Sequence, residues 1–299
     1  MGKRELSELN LIDDFLFEEA LRRGKKGEQF AKILLQTILG KEFRSVKVIA
    51  QKNVRGISPG KHGIRMDAYV EASEESNELS DAKITTEIYD IEPSIYTTKS
   101  EAKRARYYHS LIDSKILSSG AKYEELQSVM VIIILPYDPF GKGHMIYTIR
   151  SKCEEYPEME YDDGNRTIYL YTKGKIGSDR KALCNMLKYL ETSTRENAVD
   201  ESLREIQELV EEIKHDERVG VSYMKSWERD EIHKEEGEKI ALIKQVCKKL
   251  EKEKTIPQMA DELEAEESEI QRIVEAAKEF APEYDAEKIY EVAGFQILL

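Results

Sequence analysis

The sequence predicts an α/β (α+β) layer fold, a mixed sheet flanked by helices and followed by a helical C-terminal region. Three observations carry this. Strand-like stretches at 44–51, 64–72 and 82–92 follow one another closely. An uninterrupted apolar run, VMVIIIL at 129–135, lies beyond one long helical segment. From about residue 178 onward the periodicity is almost wholly helical.

Taken in order, residues 9–24 (LNLIDDFLFEEALRRG) space Leu9, Ile12, Phe15, Leu16 and Ala20 as an amphipathic helix that Gly24 ends. Residues 28–40 (EQFAKILLQTILG) predict a second helix, again closed by glycine. Three strands follow, RSVKVIAQ, IRMDAYVEA and AKITTEIYDIE, the last two joined by the acidic, serine-containing loop ESNELSD. Ser100 is placed to N-cap the helix SEAKRARYYHSLIDSKIL. VMVIIIL lacks polar alternation, which predicts a strand buried on both faces. HMIYTIR and RTIYLYT predict further strands around the turn DDGN. The expected division is a core at 1–177 and an acidic helical region at 178–299, with a small helical pair at 255–280.

A chain of 299 residues with 40% hydrophobic residues has ample material for a core. VMVIIIL falls far short of the roughly 20 apolar residues that span a bilayer, so no membrane partner is expected. The start MGKRELSELN lacks the apolar core of a secretion signal, and Cys153, Cys184 and Cys247 are scattered without metal-ligand spacing. Both point to a cytoplasmic protein. The net charge of −13 is unevenly spread. Residues 1–200 hold 31 Lys plus Arg against 32 Asp plus Glu, whereas 201–299 hold 15 against 27. The acidity belongs to the last third, and bases cluster earlier, at Arg22, Arg23, Lys25 and Lys26 and again at Lys99, Lys103, Arg104 and Arg106. Such clusters suit a phosphate backbone. The helical pair is poor material for DNA reading, since its second helix offers mainly Glu269, Gln271, Arg272 and Glu275.

Asp67 and Glu92 punctuate two neighbouring, otherwise apolar strands. Acids held rigidly on paired strands can share one divalent cation. Glu87 and Asp90 are rival acids on the same strand. Asp90 shares a face with Glu92, so it is either an outer helper or the assignment is displaced by two. His109 and His144 have no serine or cysteine in a nucleophile setting, and Gly141 to Gly143 lacks the spacing of a phosphate-binding loop.

The ordered series IDDFLF, RMDAYV, YDIEPS, KRARYYHSLIDSKILSSGAKYEEL and LPYDPFGKG resembles the recombination-promoting nuclease and transposase-like family of the PD-(D/E)XK nuclease superfamily, over roughly residues 6–175. That resemblance implies a restriction-endonuclease-like core in which Asp67 and Glu92 bind Mg²⁺, with Mn²⁺ as substitute, and an acid on the first helix, Asp14 or its neighbour Asp13, completes the site. The implied activity is endonucleolytic hydrolysis of DNA. The sequence departs from the pattern two residues after Glu92, where a lysine is usual in the superfamily and a glutamine common in the family, but where Ser94 stands here. Serine can bond a water but carries no charge. A cation from the next helix, Lys99 or Lys103, is the expected replacement. Arg104, Arg106, Tyr107 and Tyr108 resemble the family's RYY segment; Arg104, Arg106 and Tyr107 are expected to contact nucleic acid, against the plainer reading that the arginines brace carboxylates and the tyrosines pack on the sheet. Paired cuts on a duplex imply a homodimer. The rival reading is a nuclease fold that has lost catalysis and serves as a nucleic-acid-binding or protein-interaction module.

Overall fold

The computed structural model describes residues 4–54, 64–74, 86–95, 100–117, 120–177 and 179–295, with side chains left aside at 50–54, 64–68, 74 and 230. The chain divides into two compact units, Met1–Gly220 and Val221–Leu299.

The first unit is built on a six-stranded mixed sheet in the order β1-β2-β3-β4-β6-β5. Strands β1 (Phe43–Val54), β2 (Ile64–Glu74) and β3 (Thr86–Pro93) form an antiparallel meander. Helix α3 (Glu101–Ile116) then carries the chain over to β4 (Val129–Leu135), which lies parallel to β3. Strand β6 (Asn165–Tyr171) also pairs with β4 in parallel, and β5 (Ile146–Ile149) adds antiparallel at the edge. Every residue of β4 is buried, as a central strand covered on both faces requires.

Side chains alternate along each strand, so the sheet has two distinct apolar faces. Ile88, Val129, Val131, Ile133, Leu135, Tyr69 and Tyr169 join Ala105, Leu111 and Ile112 of α3 in one cluster. The alternate set, including Tyr89, Ile91, Ile132 and Ile134, is equally buried. Against it pack helices α1 (Asp14–Leu21) and α2 (Lys25–Leu39), joined by an edge-on Phe17–Phe30 contact with ring centroids 5.4 Å apart.

The first helix begins later than its periodicity predicts. Asp13 adopts an extended backbone conformation, and its carboxylate accepts from the Asn10 amide at 2.8 Å and from the Arg4 guanidinium. Leu9, Leu11 and Ile12 are therefore buried ahead of the helix rather than along it.

Helices α4 (Lys181–Glu191) and α5 (Glu201–Lys214) belong to the first unit, so the structural division falls at Gly220, beyond the change of periodicity at 177/178. Their apolar stripes explain this. Leu187, Tyr189, Leu190, Ile206, Val210 and Ile213 are almost fully buried, and the Leu190 carbonyl accepts from the Ile12 amide at 2.8 Å. Arg180, at the start of α4, donates to the carbonyls of Thr37 and Ile38 at the end of α2.

Helix α6 (Glu217–Leu250) runs into the second unit. There Ile243, Val246 and Cys247 form a core with Met259 of α7 (Ile256–Leu263), Ile270 and Ile273 of α8 (Glu267–Ala277) and Ile289 of α9 (Ala286–Val292). Arg272 is committed to the carbonyls of Ala293 and Gly294. No helix among the described residues is long and apolar enough to cross a membrane.

Candidate functional site

Ile88, Asp90 and Glu92 alternate along β3 and share the face that α3 covers. Ile88 feeds the apolar cluster, whereas the two acids are 0% and 1% exposed at the end of the strand where the chain leaves the sheet. Beyond them the Ser94 amide donates to the Ile134 carbonyl at 2.9 Å, which fixes the strand end against β4. A buried carboxylate needs a partner with charge or several donors.

Arg104, in the first turns of α3, supplies that partner. Its Nη2 donates to Glu92 Oε2 at 3.0 Å, and its Nη1 lies 3.5 Å from Ser94 Oγ and 3.8 Å from Glu101 Oε2. The guanidinium also stands 5.3 Å from the centroid of the Tyr108 ring, one helical turn along. Glu101 in turn accepts a 2.9 Å hydrogen bond from Tyr137 Oη. Desolvation alone would weaken the Arg104 cation, but Tyr108, Glu92 and Glu101 outweigh it and raise its pKa. Burial, and then the Glu92 charge, raise the Tyr108 pKa, so the phenol stays protonated.

Asp14 opens α1 beside this group. Protein packed around its carboxyl pushes its pKa up to about 6, and Glu18 adds to the rise. Arg104 is close enough to oppose it. An anion held at such cost beside other acids is an arrangement a cation relieves. Its neighbour Asp13 is taken up by Arg4 and the Asn10 amide, a structural role in the entry to α1.

The remaining expected residues are distributed as follows. Asp67 belongs to β2, and its side chain lies outside the described residues. Ala68 pairs with Ile91, so the Asp67 backbone stands one step from that pair, toward the Glu92 end of β3. Lys99 lies outside the described residues. Lys103 is exposed, and it is its neighbour Arg104 that reaches Glu92 and Ser94. Tyr107 is 37% exposed. Arg106 is exposed too, and it lines a cavity of about 480 Å³ with His109, Arg150, Arg166 and Tyr169. Of the rival acids, Glu87 is bonded to Lys41 at 2.6 Å and to the Tyr89 hydroxyl, with its pKa lowered by these partners against a desolvation that would raise it. Asp90 stays on the Glu92 face and lies near enough to Tyr108 to raise its pKa.

The sequence reading missed Glu101 and Tyr137 as parts of the site, and took Tyr108 only as a packing or stacking tyrosine. The signal was present in the spacing: Glu101, Arg104 and Tyr108 fall at i, i+3 and i+7, which is one face of a helix.

Among the described residues no group of three or more His, Cys, Asp and Glu side chains converges as a metal site. Glu92 and Asp14 offer hard carboxylate oxygens of the kind Mg²⁺ takes; Arg104 acts on both, bonding Glu92 directly and opposing the rise in the Asp14 pKa. Searches against protein-family models, curated proteins and solved structures found no match to this chain.

Proposed function

We propose that this chain is a Mg²⁺-dependent DNA endonuclease of the restriction-endonuclease-like kind, related to transposase-like proteins that promote recombination by cutting DNA. The observation that carries the reading is the buried Glu92 at the end of β3, bonded to Arg104, which also reaches Ser94 and acts on Asp14, with the Asp67 backbone at the neighbouring position of β2. The order of elements supports it as well: a helix pair, three antiparallel strands, a crossover helix and a parallel fourth strand follow the motif order of the resemblance.

In this reading Glu92, Asp67 and Asp14 hold the cation, and Mn²⁺ can replace Mg²⁺. When bound, the cation lowers the pKa of a water and offsets charge on phosphate oxygens. Glu92 is rigid because its strand is paired on both sides and its carboxylate is enclosed. Ser94 Oγ is placed to orient a water. Lys103, Arg106 and Tyr107, all exposed on α3, face the nucleic acid, and a homodimer places two sites on one duplex. A cytoplasmic location accords with DNA as substrate.

The rival reading, a fold that binds nucleic acid or protein without cutting, is favoured by one observation. Glu92 is already neutralised by Arg104, and Ser94 contributes no charge. Plasmid nicking separates the two. Cleavage with Mg²⁺ or Mn²⁺ that chelator abolishes and that Asp67→Ala and Glu92→Ala each remove supports the nuclease. A folded protein that binds DNA but leaves it intact with both metals supports the rival.

A further inference from the structure

The pattern to which the chain is similar puts a cation two residues after the strand acid, and here that position is Ser94. Charge is nonetheless present at the same place. Arg104 reaches across from α3 and sets Nη2 3.0 Å from Glu92 Oε2 and Nη1 3.5 Å from Ser94 Oγ. Its position is over-determined by Glu101 and by the Tyr108 ring beneath it, which is how a rigid donor is held for chemistry rather than for loose surface pairing.

We propose that Arg104 is the resident cation of this site: it holds the Glu92 carboxylate until a divalent cation displaces it, and then donates from the Ser94 side to a non-bridging phosphate oxygen of the substrate. The inference rests on the nuclease reading above and names the residue that replaces its missing charge. The chemistry balances without any change in Arg104. The water oxygen forms a bond to phosphorus as the leaving P–O bond breaks, the water's proton passes to solvent, and the leaving oxygen takes a proton from solvent. Arg104 remains protonated throughout and only donates hydrogen bonds to the negative charge that builds on phosphorus. Ser94 has the reach to bond a water but not the charge to do this. The exposed Lys103 is the nearby alternative, and the hydrogen bonds single out Arg104.

Two opposing effects of one substitution test this. Removing a competing cation tightens metal binding, whereas removing a transition-state donor slows cleavage. Calorimetric titration of the full chain with Mn²⁺, without DNA, should show Arg104→Ala binding about 10-fold more tightly than wild type. Single-turnover cleavage by the same variant should be about 10²- to 10³-fold slower, with duplex affinity in Ca²⁺ changed by less than about threefold. Methylguanidinium in solution should restore much of the lost rate and return Mn²⁺ affinity toward the wild-type value. If Arg104→Ala does not fold, Arg104→Lys carries the test, retaining measurable cleavage while Arg104→Gln loses it. A wild type that binds no Mn²⁺ overturns the nuclease reading and this inference with it. A wild type that binds Mn²⁺ and cuts, beside a folded Arg104→Ala that binds Mn²⁺ no more tightly and cuts equally fast, overturns this inference alone. A loss of cleavage matched by an equal loss of duplex affinity also overturns it, because Arg104 would then serve only to hold DNA.

Discussion

Arg104 and Glu92 join α3 to β3 through a 3.0 Å hydrogen bond, with the carboxylate side chain 2% exposed and the guanidinium side chain 27% exposed. A pair buried at one end and wet at the other loses unequally when each half is removed. Glu92→Gln leaves a cation that water can still reach, whereas Arg104→Gln takes a charged donor away from a buried anion. Denaturant melts should therefore show Arg104→Gln costing about 2–4 kcal/mol and Glu92→Gln about 1–2 kcal/mol. The double variant should cost less than their sum by at least about 1 kcal/mol. Strict additivity would show that the two side chains do not interact in solution.

The loop after β4 gives a pH signature of its own. Asp138 accepts from the amides of Phe140 and Gly143 and from the Tyr147 hydroxyl at 3.0, 2.6 and 2.8 Å. These donors hold its pKa down at about 2 against a desolvation that would raise it. Its folded pKa lies below the ordinary value of 3.8, so its contribution is complete above that value and fades as pH falls through about 2. Asp138→Asn should lower the melting temperature at pH 7, and the gap from wild type should close on acidification between about pH 4 and pH 2. A gap constant over that range would assign the effect to lost packing.

Gly27 sits where α2 passes the end of α1. A Cβ there would lie 2.2 Å from the Leu21 carbonyl oxygen and 2.9 Å from that of Ala20, both backbone atoms that cannot swing aside. Gly27→Ala ordinarily favours a helix, yet here it should destabilise by about 1–3 kcal/mol in chemical denaturation. A neutral or stabilising result would mean that the two helices are further apart.

The core between the two layers should be intolerant of shortening. Ile132 is 0% exposed at the middle of β4, between β3 and β6. Ile132→Ala should cost about 2–5 kcal/mol in urea melts, without a change in the denaturant slope.

The C-terminal unit has its own core, centred on Ile243, Met259, Ile270, Ile273 and Ile289. A fragment of residues 221–299 is expected to melt cooperatively with a helical spectrum by circular dichroism. Ile273→Asp in that fragment should abolish the transition, because it buries an unpaired charge. A gradual, non-cooperative melt of the unaltered fragment would count against an independent core.

The parts of the fold that show in the sequence are those whose cause is local. Closely spaced strand-like runs punctuated by acids announce β1 to β3, the continuous VMVIIIL announces a covered central strand, and the stretch at 100–117 announces α3. Sheet order is not local. Strand β6 takes the place beside β4 and leaves β5 at the edge, although β5 comes first along the chain. The division at Gly220 was hidden for a related reason. A change from strand to helix periodicity marks a change of element, but whether a helix joins a core depends on which surface its apolar stripe meets, as Tyr189 and Ile213 show.

At the candidate site Glu92 and a bracing arginine were legible, but which base does the bracing was not. Glu92 stands out because it interrupts an apolar strand. Lys103 and Arg104 are both cationic and adjacent, but one residue turns the helix by about 100°, and only the tertiary packing of α3 on β3 decides which faces the carboxylate. The plainer sequence reading of Arg104, as a brace for acids, describes its contact with Glu92 in the structure.

The placement of β4 also bears on how the chain survives its own synthesis. In the finished sheet both of its edges are occupied, by β3 and by β6, while the exposed rim on that side is β5, only four residues long and followed by Arg150. Before residues 165–171 emerge, VMVIIIL has an open edge and no charge to discourage pairing with another chain, which is the sequence profile of an aggregating segment. Weakening β6, for instance at Tyr169 or Leu170, would thus announce itself first as insoluble product from the ribosome, ahead of any defect at the carboxylates.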